Sequence, residues 1–294
     1  MRHALVFGGS GQIGRPLLVR LRRDGWRVTA VSRDARADEP GLHWLRGDLS
    51  NVPALPPNIE AVVSCGPLDA FARWYAAHAP AAPRVIAFGS TSADSKRGSS
   101  DPDERDVAQR LRDGEATLLD AAARRDAALT LLRPTLVYGA GRDATLTRIA
   151  ELAQRWGRFP LPRNANGLRQ PVHVADLAEA AAACLGNDAT HGRTYALPGG
   201  ETLPYRDMVA RVLACLEPPP ALVELPSPLF NAALLAAQAT GRATHLGEAA
   251  VRRMRSDLVF DLTPAQRDFG YAPRAFRPTA GMFVPRDDER VDAD

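Results

Sequence analysis

The sequence predicts an α/β protein with a doubly wound parallel sheet and a smaller C-terminal lobe. Three observations predict this fold class. Apolar strand-like segments alternate with amphipathic helical segments over the first half of the chain, and this rhythm builds parallel sheets with helices on both faces. A glycine-rich loop separates the first strand from the first helix. After Tyr138-Gly139 the alternation becomes irregular and prolines multiply from Pro198 onward, which indicates a second lobe.

The predicted elements follow one another closely. The first strand is the apolar run from Ala4 to Phe7, and the first helix runs from Gln12 to Asp24. Further strands are predicted at 27–31, 42–45, 61–65, 84–88 and 129–132, and helices at 69–79, 103–125, 174–185, 205–216 and 247–254. In such sheets, ligands bind at the carboxyl ends of the strands.

The loop GGSGQIG at residues 8–14 predicts a bound dinucleotide. Because glycine has no Cβ, the backbone can approach a pyrophosphate while helix N–H groups and the helix dipole receive its charge. The loop residues expected to contact the cofactor are Gly8, Ser10, Gly11, Gln12, Ile13 and Gly14. The alternative is a glycine turn that merely connects the strand to the helix.

The spacing Gly8-x-x-Gly11-x-x-Gly14 resembles that of the extended short-chain dehydrogenase/reductase family, the relatives of nucleotide-sugar epimerases and dehydratases. Later segments share the resemblance: RPTLVYG at 133–139, RQPVHVAD at 169–176 and GGET at 199–202. The resemblance implies an NAD(P)-binding Rossmann domain over residues 1–190, with residues 139–170 partly contributing to the substrate lobe. A small substrate or cap lobe is expected over residues 191–294, and its charged ending is expected to fray.

The end of the second strand favours NADP(H) over NAD(H). An acidic residue there binds the ribose 2′-hydroxyl, whereas this chain has Val31-Ser32-Arg33. Ser32 removes the repulsion of a 2′-phosphate, and Arg33 offers that phosphate a planar set of donors. Arg36 and Arg15 are candidate helpers. The alternative is that Arg33 is a solvated loop residue and the protein takes NAD.

Further cofactor contacts are implied by the resemblance. In that family an aspartate just past the third strand reaches the adenine, which points to Asp48; a plain turn or helix-capping aspartate is the alternative. The resemblance also implies that five further residues lie along the cofactor: Leu49, Cys65, Gly66, Pro67 and Pro134.

The usual catalytic pair of the resembled family is missing. That pair is a tyrosine with a lysine four residues later, whose charge lowers the tyrosine pKa. No tyrosine of this chain is followed by lysine at that distance. Matching the helix by Glu115 places Val107 at the tyrosine position and Leu111 at the lysine position.

Four residues are candidate catalytic groups. Thr91 matches the family's hydroxyl position best, with Ser90 as the second choice. Lys96, the single lysine of the chain, can fold over the nicotinamide or lie solvated on its loop. Tyr138 can donate a proton or pack structurally. The resemblance also implies that Arg169 contacts an anionic group of the substrate.

Composition argues against several other classes of protein. The net charge of +3 comes from scattered arginines, so no nucleic-acid partner is expected. Cys65, Cys184 and Cys215 have neither metal-ligand spacing nor an even disulfide framework, so we expect no metal, no disulfide and a cytoplasmic location. Strand-like sequence begins within a few residues of Met1, which leaves no room for a signal peptide.

Two further patterns predict neither a membrane span nor a hydrolase. The longest apolar stretch, Leu229 to Ala239, is too short to cross a bilayer and predicts a packed or lipid-touching helix. His173 and Asp176 suggest a hydrolase triad, but the chain has no Gly-x-Ser-x-Gly nucleophile elbow. They are interpreted as members of a structural hydrogen-bond network.

Two functions are consistent with these patterns. The first is an NADP(H)-dependent oxidoreductase or epimerase that acts on a small molecule, a sugar-like or lipid-linked carbonyl compound, through Thr91 and a substitute acid. The second is a non-catalytic NADP(H)-binding structural or sensing protein that acts through a protein partner. The missing pair resembles an atypical branch of the family that includes an accessory subunit of respiratory complex I, whose members bind NADP(H) without that pair. Substrate, reaction direction and oligomeric state are left open.

Overall fold

The computed structural model describes residues 2–239 and 248–284. The chain forms two compact units whose segments alternate along the sequence. The first unit comprises Met1–Thr135, Val174–Leu197 and Asp261–Pro273; the second comprises Leu136–His173, Pro198–Phe260 and Arg274–Asp294. The expected boundary after residue 190 falls inside a segment of the first unit. The charged ending at 286–294 lies outside the described residues.

A seven-stranded parallel sheet forms the centre of the first unit. Its strands are β1 (His3–Phe7), β2 (Arg27–Ser32), β3 (Leu42–Arg46), β4 (Ala61–Ser64), β5 (Arg84–Phe88), β6 (Ala128–Pro134) and a later strand (Arg193–Leu197) that is β11 in chain order. The spatial order is β11-β6-β5-β4-β1-β2-β3. The strand order therefore reverses between β1 and β4, and in doubly wound sheets this reversal opens the ligand-binding crevice.

Helices flank this sheet and bury its apolar core. They are α1 (Gly14–Arg23), α2 (Leu68–His78), α3 (Ser92–Ser95), α4 (Pro102–Ala123), and, later in the chain, α6 (Val174–Leu185) and α10 (Thr263–Phe269). α1 packs against α6, and α2 packs against α4. Phe7, the last residue of β1, lies in an aromatic cluster with its ring centroid 5.8 Å from Phe71 and 4.4 Å from Trp74. This packing fixes the end of β1, where the glycine loop begins.

The second unit is built from short strand pairs around a separate apolar core. Its strands are β7 (Val137–Tyr138), β8 (Arg158–Pro162), β9 (Leu168–Arg169), β10 (Val172–His173), β12 (Leu203–Pro204) and β13 (Ala221–Leu225); its helices are α5 (Leu146–Trp156), α7 (Tyr205–Ala214), α8 (Ser227–Ala239) and α9 (Glu248–Arg253). The core gathers buried side chains from α5 and α7 together with Tyr138, Phe276 and Phe283. In the part of the chain that the structure describes, no helix combines the length and apolarity that a bilayer crossing requires.

The predicted fold class is confirmed. The expected strands and helices lie within a few residues of the observed ones, and the predicted helix at 174–185 coincides with α6. β11, the edge strand next to β6, and the parallel pairing of β8 with β13 were not predicted.

Candidate functional site

The glycine loop is closed so tightly that its backbone admits no side chain at two positions. Gly8 has a φ of +70°, and a Cβ there would lie 2.9 Å from the backbone nitrogen of Gly66. A Cβ at Gly14 would lie 2.1 Å from the carbonyl oxygen of Gly8. The Gly11 N–H donates to the Gly8 carbonyl at 2.9 Å. Glycine is therefore required here by geometry, beyond the need to connect a strand to a helix.

The start of α1 is suited to an anion. Its N-cap, Ile13, contributes no side-chain hydrogen bond, and the first turn carries no acidic residue. The first N–H groups of a helix need partners from outside the helix, and the helix dipole favours a negatively charged partner. This end of α1 thus fits the diphosphate of a dinucleotide.

Two buried polar atoms beside the loop also fit a ligand. Gln12 Oε1 and Ser64 Oγ have no hydrogen-bond partner among the described residues. Ser64 ends β4 and pairs in register with Phe7 of β1, so it lies where the strand order reverses. Buried polar groups are nearly always hydrogen-bonded, and the hydroxyl groups of a dinucleotide would supply such partners.

The segment Cys65-Gly66-Pro67 comes directly after β4 and against the glycine loop. The Cys65 N–H donates to the Phe7 carbonyl at 2.9 Å, which joins the ends of the two strands. Burial raises the pKa of the Cys65 thiol to about 12. The thiol is therefore neutral at physiological pH and does not repel an anionic ligand.

Arg33 and Arg36, which follow the end of β2, differ in their exposure and in their contacts. Arg33 is exposed, whereas Ser32 is buried and its Oγ accepts from Arg36 Nε at 3.3 Å. The Arg36 guanidinium also lies over the Trp44 ring, 5.3 Å from its centroid. Arg36, expected only as a helper, is thus the more firmly held of the two cations. Arg15, the other expected helper, donates from Nε to the Ser10 carbonyl at 3.2 Å.

Asp48 occupies a turn just past β3. Its Oδ1 accepts from the backbone N–H groups of Ser50 at 2.8 Å and Asn51 at 3.0 Å. This is the capping geometry of the alternative interpretation, and among the described residues Oδ2 accepts no hydrogen bond. Leu49 approaches the other segment expected along the cofactor, since a Cβ at Gly66 would lie 3.8 Å from its Cδ1.

Thr91 and Ser90 follow β5 but are engaged with the backbone. Thr91 is buried, and its Oγ1 donates to the Pro134 carbonyl at 3.2 Å. The Thr91 N–H lies at the same distance from that carbonyl. Ser90 Oγ accepts from the Ser92 N–H at 3.1 Å. The structure thus brings Thr91 and Pro134 together and leaves the Ser90 hydroxyl proton available for donation.

Lys96 is not a solvated loop residue. Its Nζ lies 3.6 Å from Oε1 of Glu104, whose side chain is 11% exposed. Ser99 Oγ donates to the other carboxylate oxygen of Glu104 at 2.7 Å. Glu104 lies on α4 three residues before Val107, so it occupies the same helix face one turn away from the family's tyrosine position.

Apolar residues stand on α4 at both positions of the usual pair. Val107 and Leu111 are half-buried, and Leu111 packs against the core of the first unit. One turn further on, Glu115 accepts from Arg133 Nε at 2.7 Å. This hydrogen bond to Glu115 raises the pKa of the Arg133 guanidinium. The ion pair anchors α4 to β6, and no phenol or ammonium group stands at positions 107 and 111.

Tyr138 belongs to the second unit and packs edge-on against two rings. It is 1% exposed, with centroid distances of 5.2 Å to His173 and 4.9 Å to Phe276. Gly139 has a φ of +113°, and a Cβ there would lie 2.5 Å from His173 Nε2. The imidazole thus seats directly on the Gly139 backbone, which gives His173 a packing role.

Arg169 is buried in the second unit, where backbone carbonyls surround it. Its Nη1 donates to the carbonyls of Leu168 at 2.7 Å and Ser256 at 2.8 Å, and Nη2 donates to that of Arg253. Its guanidinium lies 5.3 Å from the centroid of the Tyr205 ring. These contacts link β9 to the segment after α9, and a substrate contact of Arg169 stays a prediction.

Sequence reasoning missed three contributors to these clusters: Ser64, Glu104 and the Arg36–Trp44 contact. Only Glu104 left a usable signal, since it is an acidic residue eight positions after the single lysine. Within residues 2–239 and 248–284, no group of three His, Cys, Asp or Glu residues could hold a metal ion.

The fold and the closed glycine loop define a Rossmann-type α/β protein. Residues 4–79 match the model of the NAD dependent epimerase/dehydratase family. This match and the fold confirm the resemblance to the extended short-chain dehydrogenase/reductase family.

Two curated proteins illustrate the relationship. The chain is 27% identical to 2-alkyl-3-oxoalkanoate reductase of Stenotrophomonas maltophilia, over 92% of this chain and 94% of that protein. It is 26% identical to the uncharacterized protein YbjS of Escherichia coli, over 49% of this chain and 45% of that protein. The chain thus spans less than half the length of YbjS.

Solved structures share the fold at low sequence identity. The terminal R domain of the myxalamid PKS-NRPS pathway has a TM-score of 0.71 at 18% identity, covering 94% of this chain and 87% of that one. UDP-glucuronic acid 4-epimerase from Bacillus cereus, solved with NAD, has a TM-score of 0.66 at 13% identity, covering 93% and 94%.

Proposed function

We propose that this protein binds NADP(H) and is an oxidoreductase or epimerase that acts on a sugar-like or lipid-linked carbonyl compound. The observation that carries the proposal is the glycine loop. Gly8 and Gly14 leave no room for a Cβ, and the loop leads into the uncapped start of α1 beside the buried, unpartnered Gln12 Oε1. Such a cradle favours a diphosphate over a side chain of the protein itself.

The preference for NADP(H) rests on the chain's own residues. No carboxylate ends β2; Ser32 stands there instead, and Arg36 is held by Ser32 and Trp44. Arg33 and Arg36 would bind the 2′-phosphate with charge-assisted hydrogen bonds. The Bacillus cereus epimerase was solved with NAD, so the preference of this chain is argued from the end of β2 alone.

The substrate class is argued from chemistry and from one relative. NADPH, when bound, would supply a hydride for a carbonyl carbon, and residues of this chain would have to orient the carbonyl oxygen and give it a proton. We infer that Ser90 orients that oxygen, that Thr91 supports the loop through Pro134, and that Lys96 or Tyr138 supplies the proton. The Stenotrophomonas reductase is named for a 2-alkyl-3-oxoalkanoate, a lipid-like ketone of the kind we propose.

A second function has its own supporting observation. Val107 and Leu111 stand at the positions of the missing pair, and Lys96 is paired with Glu104. A protein that binds NADP(H) without turning it over would need neither phenol nor lysine. In that case cofactor binding would stabilise a surface for a protein partner.

Calorimetric titration with NADPH and NADH tests cofactor binding. Gly14→Ala should abolish binding of both nucleotides, because its Cβ would meet the Gly8 carbonyl. Gly186→Ala is the matched control, since a Cβ there meets nothing within 4 Å, and it should bind like the wild type. Absence of binding in the wild-type protein would overturn the proposal.

Turnover separates the two functions. NADPH oxidation is followed across a panel of carbonyl compounds that includes 2-alkyl-3-oxoalkanoates and nucleotide sugars. The enzyme function is supported if the protein oxidises NADPH and if Ser90→Ala and Lys96→Gln each reduce the rate of oxidation. NADPH that binds but is never oxidised, in the wild type and in Thr91→Ala alike, supports the binding protein.

A further inference from the structure

Helix α8 presents an apolar surface to solvent. None of its thirteen residues, Ser227–Ala239, is charged. Leu229 is 55% exposed and Leu235 is 66% exposed, whereas Phe230 is buried. The helix is thus anchored through Phe230, while Leu229 and Leu235 point away from the protein.

Three exposed apolar residues of α8 form one stripe, and the exposed Asn231 lies outside it. Leu229, Ala232 and Leu235 are exposed and three residues apart, so they lie on neighbouring turns within about 120° of the helix circumference. Exposed apolar side chains scattered singly are ordinary, but a contiguous stripe indicates an interaction surface.

Two exposed arginines flank the first turn of α8. Arg255 Nη2 donates to Ser227 Oγ at 3.3 Å. Arg163 directly precedes Asn164, whose Oδ1 lies 3.4 Å from the same Ser227 hydroxyl. Among the described residues, neither arginine takes part in an ion pair. We name the stripe and these two arginines together the α8 patch.

The unit that carries the α8 patch is basic. Its segments, residues 136–173, 198–260 and 274–294, contain sixteen arginines against thirteen carboxylates, a formal excess of three positive charges. The segments of the first unit contain equal numbers of basic and acidic residues. The positive charge of the protein is therefore concentrated in the unit that presents the apolar stripe.

We propose that the α8 patch docks the protein on the surface of an anionic lipid membrane. Insertion of Leu229 and Leu235 among the acyl chains would remove their apolar surface from water, and Arg163 and Arg255 would meet lipid phosphates. The charges disfavour a second copy of the chain as the occupant. A symmetric dimer through this patch would bring the arginines of two basic units together. The α8 patch therefore complements an anionic surface.

Vesicle co-sedimentation tests the proposal. The full-length protein is mixed with phosphatidylcholine vesicles, with and without phosphatidylglycerol. We expect binding to the anionic vesicles that weakens with added salt. Leu229→Glu/Leu235→Glu should lower the partition coefficient at least about tenfold. Arg163→Gln and Arg255→Gln should each lower it about fivefold on anionic vesicles.

The matched control is Val19→Glu/Leu119→Glu, which changes two exposed apolar residues of the first unit. It should bind vesicles like the wild type. Circular dichroism melts of each variant identify any that fails to fold, and the single variant Leu235→Glu replaces the double one in that case. Failure of the wild type to bind anionic vesicles, or equal binding by the α8 variants, overturns the proposal. A dimer that Leu229→Glu/Leu235→Glu dissociates in analytical ultracentrifugation, without vesicle binding, assigns the patch to self-association and also overturns it.

Discussion

Two arginines at the end of β2 differ in how firmly they are held, and this difference gives a test of cofactor choice. Arg36→Gln should weaken NADPH binding about tenfold and leave NADH binding unchanged, because only NADPH has the phosphate that the guanidinium would bind. Arg33→Gln should act in the same direction but less strongly, since Arg33 is exposed and less ordered by neighbours. Calorimetric titration of each variant with both nucleotides measures the effect.

The control for this pair is Arg46→Gln, an exposed arginine at the end of β3. It should affect both nucleotides equally and weakly. Equal losses of NADPH and NADH affinity in Arg36→Gln would show that Arg36 supports the loop rather than a 2′-phosphate.

Arg84 is a buried charge in the first unit. It is 6% exposed, and no carboxylate pairs with it among the described residues. Its guanidinium donates to the Ala128 and Cys184 carbonyls and to the hydroxyls of Thr130 and Thr190, at 2.6 to 3.2 Å. Burial lowers the pKa of this guanidinium, yet arginine stays charged. Its hydrogen bonds tie β5, β6 and the end of α6 together.

Arg84→Met should therefore lower the free energy of unfolding by about 3 kcal/mol or more, because two carbonyls and two hydroxyls lose their donor in a buried place. Urea titration followed by circular dichroism measures the change. Arg110→Gln, which removes an exposed pair with Asp106 on α4, should cost less than about 1 kcal/mol. Similar losses in both variants would contradict the structural role given to Arg84.

Among the elements, those with strong local patterns were predictable. β1, β2, β4, β5 and β6 are short, mostly buried apolar runs, and α6 is apolar over most of its length, so their hydrophobic pattern marks them in the sequence. β11 was missed because it is an edge strand with the exposure pattern exposed, exposed, buried, half-buried, buried over Arg193–Leu197. β8 and β13 contain or border prolines, which usually argue against strands.

The candidate site was predictable from the sequence only in the glycine loop, where the backbone itself forms the site. The glycine loop is visible because its requirement for small residues leaves a spaced pattern in the sequence. The partners of Thr91, Lys96 and Arg169 are not visible, because each contact joins residues that are distant in sequence or involves a backbone carbonyl. The sequence has no marker for a carbonyl that accepts from a particular arginine.

The Glu201 carboxylate in the second unit connects α7 to the segment around Phe276, and the stability that this connection adds depends on pH. Glu201 accepts from Arg211 of α7 at 2.6 to 2.8 Å and from the Phe276 N–H at 3.2 Å. The hydrogen bonds from Arg211 lower the pKa of Glu201 from its ordinary value of 4.5. A carboxylate with a lowered folded-state pKa adds stability above its unfolded-state pKa, and that stability is lost as pH falls through the folded-state value.

Glu201→Gln should therefore lower the urea midpoint at pH 7, and the difference from the wild type should shrink as the pH falls below about 4.5. Arg211→Gln should show the same pH dependence, because it removes the other half of the pair. A difference that stays constant from neutral to acidic pH would contradict this account.

For the whole molecule, cofactor binding should appear as added stability. At NADPH concentrations about a hundred times the Kd, binding to the native state alone adds about 2.7 kcal/mol. Differential scanning calorimetry should show a Tm rise of roughly 5 °C with NADPH. Gly186→Ala should keep this rise and Gly14→Ala should lose it. An equal rise in Gly14→Ala would place the nucleotide somewhere other than the glycine loop.

The return of Asp261–Pro273 to the first unit has a consequence for how this protein is made. Asp268 of α10 accepts from Tyr195 of β11 at 2.8 Å, and its carbonyl accepts from Asn187 at 2.7 Å. Those acceptors are synthesised only after the ribosome has completed the intervening second-unit segment. A fragment that stops at residue 197 therefore lacks the last segment of its own first unit, and the two units of this polypeptide cannot be separated by a single cut.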